Sequence, residues 1–365
     1  MTNQEANTNY FSALTGLRAI AAFMVYFHHF NPLSKDRSSL LFYNFISEFH
    51  VGVSLFFVLS GFLITYRYYD FSKIDYKSYF INRFARIYPM YFLLTSLTVL
   101  LTAIFVSPLS LKDFKIYLLN ISFLRGFFND FKFSIIAQGW SLTVEELFYI
   151  LSPFLFILIK KDKSYILVIP IVSMIFGFVL VYVFKEYSFH GFMESITFML
   201  EYTFFGRCFE FIVGISLAIF LKNFKDFKPP HTTYFGLIMI IGFIFVMSIL
   251  RVSVGTILDK IIIKLLELVF LPTFGFAALI FGLIKNKTFI SKILQTKIFQ
   301  ILGKSSYIFY LIHMGVFVKI LSKFSTNYIF LFLVINFIAI ILFLTLESPV
   351  NNYIRIRFNK KRKIY

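Results

Sequence analysis

The 365-residue sequence is 59% hydrophobic and 21% aromatic, and only 15% of its residues are charged. A soluble globular domain usually has about 25% charged residues, so this composition excludes an ordinary soluble domain and indicates a membrane protein. We attribute the formal net charge of +18 to basic residues at the cytoplasmic ends of membrane helices, which contact anionic lipid, and we expect no nucleic-acid binding.

Apolar runs of about 20 residues can cross a bilayer as helices, because a helix bonds its backbone polar groups internally. The sequence predicts ten such runs, at 11–30, 51–69, 87–106, 142–159, 164–184, 206–222, 234–250, 266–284, 303–321 and 328–346. We therefore expect an all-α polytopic membrane fold with about ten transmembrane helices around a central cavity. The membrane domain is expected at 1–350 and a basic cytoplasmic tail at 351–365.

The distribution of Lys and Arg predicts the orientation of the chain. The loops at 67–86, 160–163, 222–233 and 285–304, together with the tail, carry more of these residues than the opposite loops. An even number of spans places both termini on one side, so we expect a multi-pass protein of the inner (plasma) membrane with both termini cytoplasmic.

The first run lacks a basic n-region and a cleavage site, so no signal peptide is predicted. The single cysteine, Cys208, excludes an intrachain disulfide, and no metal cluster is expected.

The first run, "LTGLRAIAAFMVYFHHF", contains Arg18 and His29. Eleven positions are about three helical turns, so both side chains share one face, ~16 Å apart along the axis. Charged groups within spans are costly and usually face an interior cavity, which makes both functional candidates. Alternatively, Arg18 extends to the interface and His29 makes an interhelical hydrogen bond. Histidine suits proton transfer near neutral pH, and His28 is rotated ~100° away from His29, which makes it the weaker candidate base.

The next motifs concern helix packing and phosphate binding. In "GVSLFFVLSGFLITYR", Ser60 and Gly61 predict close packing against another helix. In "FINRFARIYPMYF", Arg83 and Arg86 share a face if the helix has begun there. Two guanidinium groups suit phosphate, although a purely topological role is an equal alternative. Pro89 is predicted in the first helical turn, where proline is tolerated.

The stretch "QGWSLTVEELFYILSPF" opens the fourth predicted span and contains Trp140, the only tryptophan. Its position alone is typical of an interfacial aromatic residue. Ser141 is a candidate N-cap, with Glu145 near the capping-box position. Glu145 and Glu146 are costly at the head of a span unless they are paired or hydrated.

Polar residues also interrupt later spans. In "FFGRCFEFIVGISLA", Arg207 and Glu210 are spaced for a local ion pair. In "GKSSYIFYLIHMGVF", Ser306, Tyr310 and His313 lie along one helical face. That stripe predicts either an interior cavity or hydrogen bonds to other helices.

The end of the last span reads "LESPVNNYIRIRF". Glu347 is expected on the cytoplasmic side with an arginine partner, for which Arg18, Arg83 and Arg86 are candidates. Pro349 is predicted to help end the helix.

Six of these stretches, "LTGLRAIAAFMVYFHHF", "FFVLSGFLI", "NRFARIYPMYF", "WSLTVEELFY", "GRCFEFIVGISLA" and "SYIFYLIHM", occur in an order that resembles the acyltransferase type 3 family of integral membrane O-acyltransferases. The resemblance extends over about residues 11–350. It implies transfer of an acyl group, usually acetyl from acetyl-CoA, to a hydroxyl of a cell-envelope carbohydrate such as O-antigen, exopolysaccharide or capsule. Some members carry an esterase-like extracytoplasmic domain, whereas this sequence resembles the stand-alone members.

The resemblance also implies roles for individual residues. Arg18 and His29 match the family's first-helix Arg and His, which are required for transfer, and Arg83 and Arg86 match its cytoplasmic arginine pair, which is linked to the donor. Residues that match the Trp-Ser-Leu signature, or are otherwise expected to bind the acceptor or support the site, are Trp140, Ser141, Glu145, Glu146, Tyr310, His313 and Glu347.

The residues and the resemblance lead to one hypothesis. Arg83 and Arg86 hold the phosphates of the acyl-CoA donor, whose arm enters past Arg18, and His29 deprotonates the hydroxyl of an envelope carbohydrate or lipid-linked glycan. An acyl-histidine intermediate is an open alternative. The rival functions are a secondary transporter, for which we see no matching halves, and a glycan flippase that uses its basic residues for lipid contact alone.

Overall fold

The computed structural model describes residues 11–33, 35, 40–70, 75–105, 108, 110–187, 189–252 and 256–359. These residues are predominantly helical, and the part of the chain described contains no β-strand beyond an isolated bridge between Phe128 and Phe192. The α-helices are α1 (Ser12–His29), α2 (Leu40–Ser47), α3 (Gly52–Tyr68), α4 (Tyr76–Phe105), α5 (Leu111–Ile121), α6 (Trp140–Lys161), α7 (Tyr165–Phe184), α8 (Ile196–Tyr202), α9 (Phe204–Asn223), α10 (Thr232–Val252), α11 (Ile257–Leu265), α12 (Ala277–Lys285), α13 (Phe289–Leu294), α14 (Lys297–Ile312), α15 (Val316–Leu321), α16 (Tyr328–Leu342) and α17 (Ser348–Asn359). Short 3-10 helices lie at Glu48–Val51, Leu124–Phe127 and Ala137–Gly139, and π-helices lie at Leu266–Phe276 and Phe343–Glu347.

The all-α prediction is confirmed, and nine of the ten predicted runs coincide with one continuous helical stretch, whereas the run 303–321 is divided between the end of α14 and α15. Within the described ranges, eight helices are long and apolar enough to cross a membrane: Leu40–Tyr68, Tyr76–Phe105, Ala137–Lys161, Tyr165–Phe184, Ile196–Asn223, Thr232–Val252, Ile257–Lys285 and Tyr328–Phe358. The two predicted runs outside this set correspond to α1, which carries Arg18 and two histidines, and to α14, which has 16 residues. The count of ten, the central cavity and the orientation of the termini stay predictions.

Two expectations about proline were wrong. Pro89 lies inside α4, not in its first turn, because the polar stretch 76–86 is helical as well. Pro349 does not end a helix: α16 continues into a π-helix, and α17 then begins at Ser348. Pro349 therefore lies directly after the π-helix, inside one continuous helical stretch, Tyr328–Phe358. Of the predicted basic tail, residues 360–365 lie outside the described residues.

The chain divides into two compact units. The first comprises Met1–Asp70 and Phe209–Ser306, and the second comprises Phe71–Cys208 and Tyr307–Tyr365. Helices α1, α3, α10 and α12 supply most of the first unit's hydrophobic core, together with the part of α9 that follows Cys208.

Glycine brings two helix backbones of the first unit into contact. A Cβ on Gly61 of α3 would overlap the carbonyl oxygen of Phe211 on α9, and a Cβ on Gly214 would overlap that of Val58. The rings of Phe57 and Phe211 stack beside this contact, with centroids 4.8 Å apart. The close packing predicted at Gly61 is confirmed, because only a residue without a side chain fits at this distance.

Tyrosine hydroxyls connect the helices of the second unit. Tyr79 on α4 donates to the carbonyl oxygen of Tyr149 on α6 (3.0 Å) and lies 2.8 Å from the hydroxyl of Ser152. Tyr307 donates to the carbonyl oxygen of Ile87, at 2.9 Å. These bonds join α4 to α6 and to α14.

Arg125, in a 3-10 helix, fixes the approach to α6. Its side chain is fully buried and donates to the carbonyl oxygens of Ser134 and Ile136. Burial lowers the pKa of Arg125, and the neighbouring Tyr91 acts in the opposite direction. A Cβ on Gly139 would overlap the guanidinium group, so Arg125 and Gly139 together set where α6 starts.

Candidate functional site

The first group of candidate residues lies on α1 in the first unit. The helix is continuous from Ser12 to His29, so Arg18 and His29 keep the predicted spacing along one face. His29 is the last residue of the helix and is exposed. The guanidinium carbon of Arg18 lies 5.9 Å from the ring centroid of Phe56. Its Nε is buried and has no hydrogen-bond partner among the described residues.

His28, which the sequence ranks below His29 as a candidate base, contacts the backbone at the end of α2 and two neighbouring histidine rings. Its Nδ1 lies 2.5 Å from the carbonyl oxygen of Ser47. Its ring centroid is 4.7 Å from that of His29 and 5.3 Å from that of His50, edge to face in both cases. A carbonyl oxygen can only accept a hydrogen bond, so Nδ1 of His28 carries the hydrogen.

Two buried carboxylates support this end of α1. Nε2 of His50 lies 3.3 Å from Glu267, and its Nδ1 lies 3.9 Å from Glu48. Glu48 is also bound by Arg251, and Glu267 by Lys264 at 2.9 Å. We call His28, His29, His50, Glu48 and Glu267, with Arg251 and Lys264, the histidine cluster.

Sequence reasoning missed most of the histidine cluster as a site. The sequence feature that could have revealed it is the presence of two carboxylates, Glu48 and Glu267, next to apolar runs. Burying such charges costs free energy, so each requires a partner. Those partners could not be identified from spacing, since Arg251 and Glu48 are 203 positions apart in the chain. Only the pair Lys264 and Glu267, three apart on one helix, was readable from the sequence.

The second group lies in the second unit and begins with the arginine pair. Because α4 starts at Tyr76, Arg83 and Arg86 lie on one helix three positions apart, so the condition for their sharing a face is confirmed. Both are partly buried. The guanidinium group of Arg83 lies over the ring of Tyr149, 5.6 Å from its centroid. Arg83 is also a charged neighbour of Glu146.

The start of α6 differs from the prediction. The helix begins at Trp140 after Gly139, with no side-chain cap. Ser141 is therefore inside the first turn, and its hydroxyl bonds Gln138 and Tyr310 instead of capping the helix. The capping box predicted for Glu145 was wrong for the same reason.

The side chains of this first α6 segment have partners in the second unit. Trp140 packs edge-on against Tyr202, with centroids 4.9 Å apart, and is partly buried. Glu145 accepts a hydrogen bond from Tyr149 one turn later on α6. Glu145 is in turn a charged neighbour of Glu146. The two adjacent carboxylates therefore have different neighbours: Glu145 is bonded by Tyr149, and Glu146 lies near the charge of Arg83.

The polar stripe on α14 forms interhelical hydrogen bonds, one of its two predicted roles. The hydroxyl of Tyr310 lies 2.9 Å from that of Ser141. Gln138 donates to the carbonyl oxygens of Tyr310 (2.8 Å) and Leu311 (2.7 Å). The ring of His313 is buried, with Nδ1 2.7 Å from the carbonyl oxygen of Tyr310. Ser306, by contrast, bonds within its own helix.

Three further candidates lie on helices as expected. Glu347 is buried in the π-helix that follows α16 and is a charged neighbour of Tyr307. Arg207 and Glu210 lie on α9 and are both buried. The arginine partner of Glu347 and the ion pair between Arg207 and Glu210 stay predictions.

Lys132, in the segment before α6, lies among aromatic side chains of the second unit. The ammonium group of Lys132 lies 4.9 Å from the ring centroids of Phe133 and Tyr202, and binds Asn129, which in turn binds Glu194. Partial burial lowers the pKa of Lys132, and Glu194 opposes that effect. This arrangement lies beside Trp140 through their shared contact with Tyr202.

The described residues contain no group of three or more His, Cys, Asp or Glu side chains that could hold a metal ion. The fold and these clusters define a polytopic helical membrane protein with charged and histidine side chains kept within its helices.

The comparison with protein families identifies the group to which this protein belongs. Residues 11–347 match the Acyl_transf_3 family model, described as an acyltransferase domain, and the chain belongs to this family. The resemblance inferred from the motifs is thereby confirmed.

The chain is also similar to O-acetyltransferases of Staphylococcus aureus. A protein of strain COL that is named a putative O-acetyltransferase is 27% identical over 338 residues, covering 84% of this chain and 50% of the relative. The O-acetyltransferase OatA of strain NCTC 8325 is 26% identical over 370 residues, covering 93% of this chain and 57% of OatA. This chain thus spans about half the length of the curated relatives it matches. No solved structure matches it.

Proposed function

We propose that this protein is a membrane O-acyltransferase that moves an acyl group, in the first instance acetyl from cytoplasmic acetyl-CoA, to a hydroxyl of an envelope polysaccharide. The observation that carries the proposal is the exposed ring of His29 at the end of the helix that also bears Arg18, in a chain of the acyltransferase family. The named O-acetyltransferase relatives favour acetyl as the group transferred.

His29 is the proposed general base. Its imidazole takes the proton of the acceptor hydroxyl while that oxygen attacks the thioester carbonyl. The bond from the carbonyl carbon to sulfur breaks, and the coenzyme A thiolate leaves. The proton held by the imidazole then passes to that thiolate. The products are the O-acyl ester and free coenzyme A. Transfer through an acyl-histidine at His29 is the alternative route to the same products.

Three arginines are proposed to bind the donor. Arg83 and Arg86 would hold coenzyme A phosphates, because guanidinium groups match phosphate in charge and in geometry. Arg18 would orient the donor, which fits the buried Nε without a protein acceptor among the described residues. Its distance from His29, ~16 Å along a straight helix, argues against contact with the oxyanion.

The acceptor is proposed to meet the start of α6. Trp140 offers an aromatic face for a sugar ring, and Glu145 or Glu146 would bond its hydroxyls. Tyr310 holds this segment through its contact with Ser141. His313 and Glu347 are proposed to support the site. We further propose that the protein lies in the inner (plasma) membrane with both termini cytoplasmic, which would place Arg83 and Arg86 on the side of the donor.

The reaction can be tested with membranes that contain the protein and membranes that lack it, both supplied with radiolabelled acetyl-CoA. The proposal predicts label in the envelope glycan, released as acetate by mild base, only where the protein is present. Label in glycan at equal levels in both membranes would contradict the proposal. Transport of a glycan or small solute without any label in ester form would favour the transporter or flippase reading.

The donor site can be tested by replacing both Arg83 and Arg86 with glutamine. Because two charge-assisted contacts are lost, we expect the KM for acetyl-CoA to rise at least tenfold. Arg357→Gln, at an exposed arginine of α17, removes a positive charge from a residue with no proposed role in binding the donor and should leave that KM unchanged. Equal KM values in the parent and the double variant would contradict the assignment.

A further inference from the structure

Two loop segments of the second unit pack together in the region of Trp140. They are residues 122–139, which precede α6, and residues 189–195, which precede α8. The backbone N–H of Asn129 donates to the carbonyl oxygen of Gly191, at 3.1 Å. Neither segment belongs to the loops that the Lys and Arg distribution predicts to be cytoplasmic. Both are therefore predicted on the opposite side of the membrane, where an envelope glycan is located.

An aromatic surface lies next to this contact. Its centre is Tyr202, whose ring centroid lies 4.9 Å from that of Trp140 and 5.4 Å from that of Phe133. Phe133 is 50% exposed, whereas Trp140 and Tyr202 are partly buried. Tyr202 thus connects Trp140, which is proposed to contact a sugar ring, to a second aromatic side chain that solvent reaches.

Lys132 lies within this surface, and its charge is already engaged by the protein. Its ammonium group lies 4.9 Å from the ring centroids of Phe133 and Tyr202. It also donates to the amide oxygen of Asn129, and the amide nitrogen of Asn129 donates to Glu194. Because cation–π contacts and a hydrogen bond hold the ammonium group, Lys132 stabilises the aromatic surface and is not a free cation for an anionic ligand.

Carboxylates outnumber this single ammonium group. Glu194, Glu201 and Asp130 are charged neighbours of Lys132. A carboxylate accepts hydrogen bonds from hydroxyl groups and repels another anion. Binding sites for small molecules combine apolar and aromatic surface with a few polar groups that fix orientation. An aromatic surface beside carboxylates therefore matches the C–H face and the hydroxyls of an uncharged sugar, and disfavours a uronic acid or a phosphate-bearing residue.

We propose that Phe133, Tyr202 and the carboxylates around Lys132 form an acceptor subsite next to Trp140, which binds an uncharged sugar residue and rejects an anionic one. Its role in presenting an acceptor rests on the proposed function. The binding of an uncharged sugar does not, because it requires neither acetyl-CoA nor transfer.

Trp140 is the only tryptophan of the chain, so its fluorescence reports binding at this subsite directly. The full-length protein in detergent micelles is titrated with chitotetraose, an uncharged oligomer of N-acetylglucosamine, and with tetragalacturonate, an anionic oligomer of the same length. We expect chitotetraose to change the fluorescence and, at low ionic strength, to bind about tenfold more tightly than tetragalacturonate. No response to chitotetraose, or equal or tighter binding of tetragalacturonate, would overturn the proposal.

A pair of phenylalanine variants tests the aromatic part of the subsite. Phe133→Ala removes a half-exposed ring, so the Kd for chitotetraose should rise about fivefold. Phe114→Ala makes the same change at a phenylalanine of α5 that is 58% exposed, and it should leave that Kd unchanged. Equal Kd values for the two variants would remove Phe133 from the subsite.

A pair of glutamate variants tests the role of charge. Glu194→Gln keeps a side-chain oxygen that can accept from Asn129 and removes one negative charge. Tetragalacturonate should then bind about threefold more tightly, and chitotetraose within about twofold of the parent. Glu186→Gln removes a charge from a side chain that is 80% exposed and is not among the named neighbours of Lys132, so it should change neither Kd. An unchanged Kd for tetragalacturonate in Glu194→Gln would refute the rejection of anions by these carboxylates.

Failure of the subsite and failure of the proposed function give different results. A parent protein that transfers acetyl to glycan but shows no response to chitotetraose would refute the subsite alone. A parent protein that binds chitotetraose with the expected preference but transfers no acetyl would refute the proposed function and support the sugar site.

Discussion

The contact between α3 and α9 gives a sharp test of how tightly the first unit is packed. Gly61→Ala adds one methyl group at a position where it would overlap the carbonyl oxygen of Phe211. The overlapping atom belongs to the backbone of a helix, so no side chain can move aside and the two helices must separate. Gly242, inside α10 of the same unit, is the matched control, since an added Cβ there meets nothing within 4 Å.

The magnitude follows from two opposing terms. Alanine in place of glycine stabilises a helix interior by about 0.5–1 kcal/mol, and this gain is common to both variants. Overpacking costs about 1–3 kcal/mol and applies to Gly61→Ala alone. The difference between the two variants therefore reports the overlap itself, about 1–3 kcal/mol.

The assay is thermal unfolding of the detergent-solubilised protein, followed by loss of the monodisperse peak on size exclusion. A change of 1 kcal/mol corresponds to roughly 2 °C in a chain of this length, so Gly61→Ala should unfold about 2–6 °C below Gly242→Ala. Gly242→Ala should unfold at or slightly above the temperature of the parent. Equal midpoints for the two variants would refute the direct backbone contact at Gly61.

Three further predictions concern the second unit. Tyr310→Phe and Ser141→Ala should each lower stability, and a double-mutant cycle should give a coupling of about 0.5–1.5 kcal/mol, whereas additive effects would contradict their hydrogen bond. Trp140→Ala should raise the KM for the acceptor glycan with little change for acetyl-CoA, and Trp140→Phe should restore most of the affinity; an unchanged acceptor KM would remove Trp140 from the acceptor site. Arg125→Lys should lower thermal stability by about 1–3 kcal/mol, because one ammonium group cannot replace the guanidinium at both carbonyls, and an unchanged midpoint in thermal unfolding would contradict that role.

The helices could be predicted because a membrane span needs a long apolar run, and such runs are visible in composition alone. The ends of the helices could not be predicted in this way, because the length of an apolar run reflects the thickness of the bilayer and does not mark where the helix ends. Helix α4 begins at Tyr76, well before its apolar run, and the last helical stretch continues beyond Pro349 to Asn359. In both cases a polar segment extends the helix past the apolar part of the sequence.

For the candidate site, too, features within one helix could be predicted from the sequence, whereas contacts between separate helices could not. The spacing of Arg18 and His29 could be read from the sequence, because helical periodicity depends only on neighbouring residues. The contacts of His50 with Glu267 and of Arg251 with Glu48 could not, because they depend on how separate helices pack. The role of Ser141 was misjudged for a related reason: its hydroxyl is directed to Tyr310 on another helix, and the sequence offers only the local capping alternative.

The central claim, that His29 acts as the base in acyl transfer, is tested most directly by one pair of variants. His29→Asn and His231→Asn make the same change, at the end of α1 and at an exposed histidine before α10 whose φ of 60° asparagine tolerates. The measurement is the transfer of radiolabelled acetyl from acetyl-CoA to envelope glycan by membranes with matched protein levels. We predict that His29→Asn loses transfer at least a hundredfold while His231→Asn matches the parent. Transfer by His29→Asn at the rate of the parent would contradict the assigned role of His29.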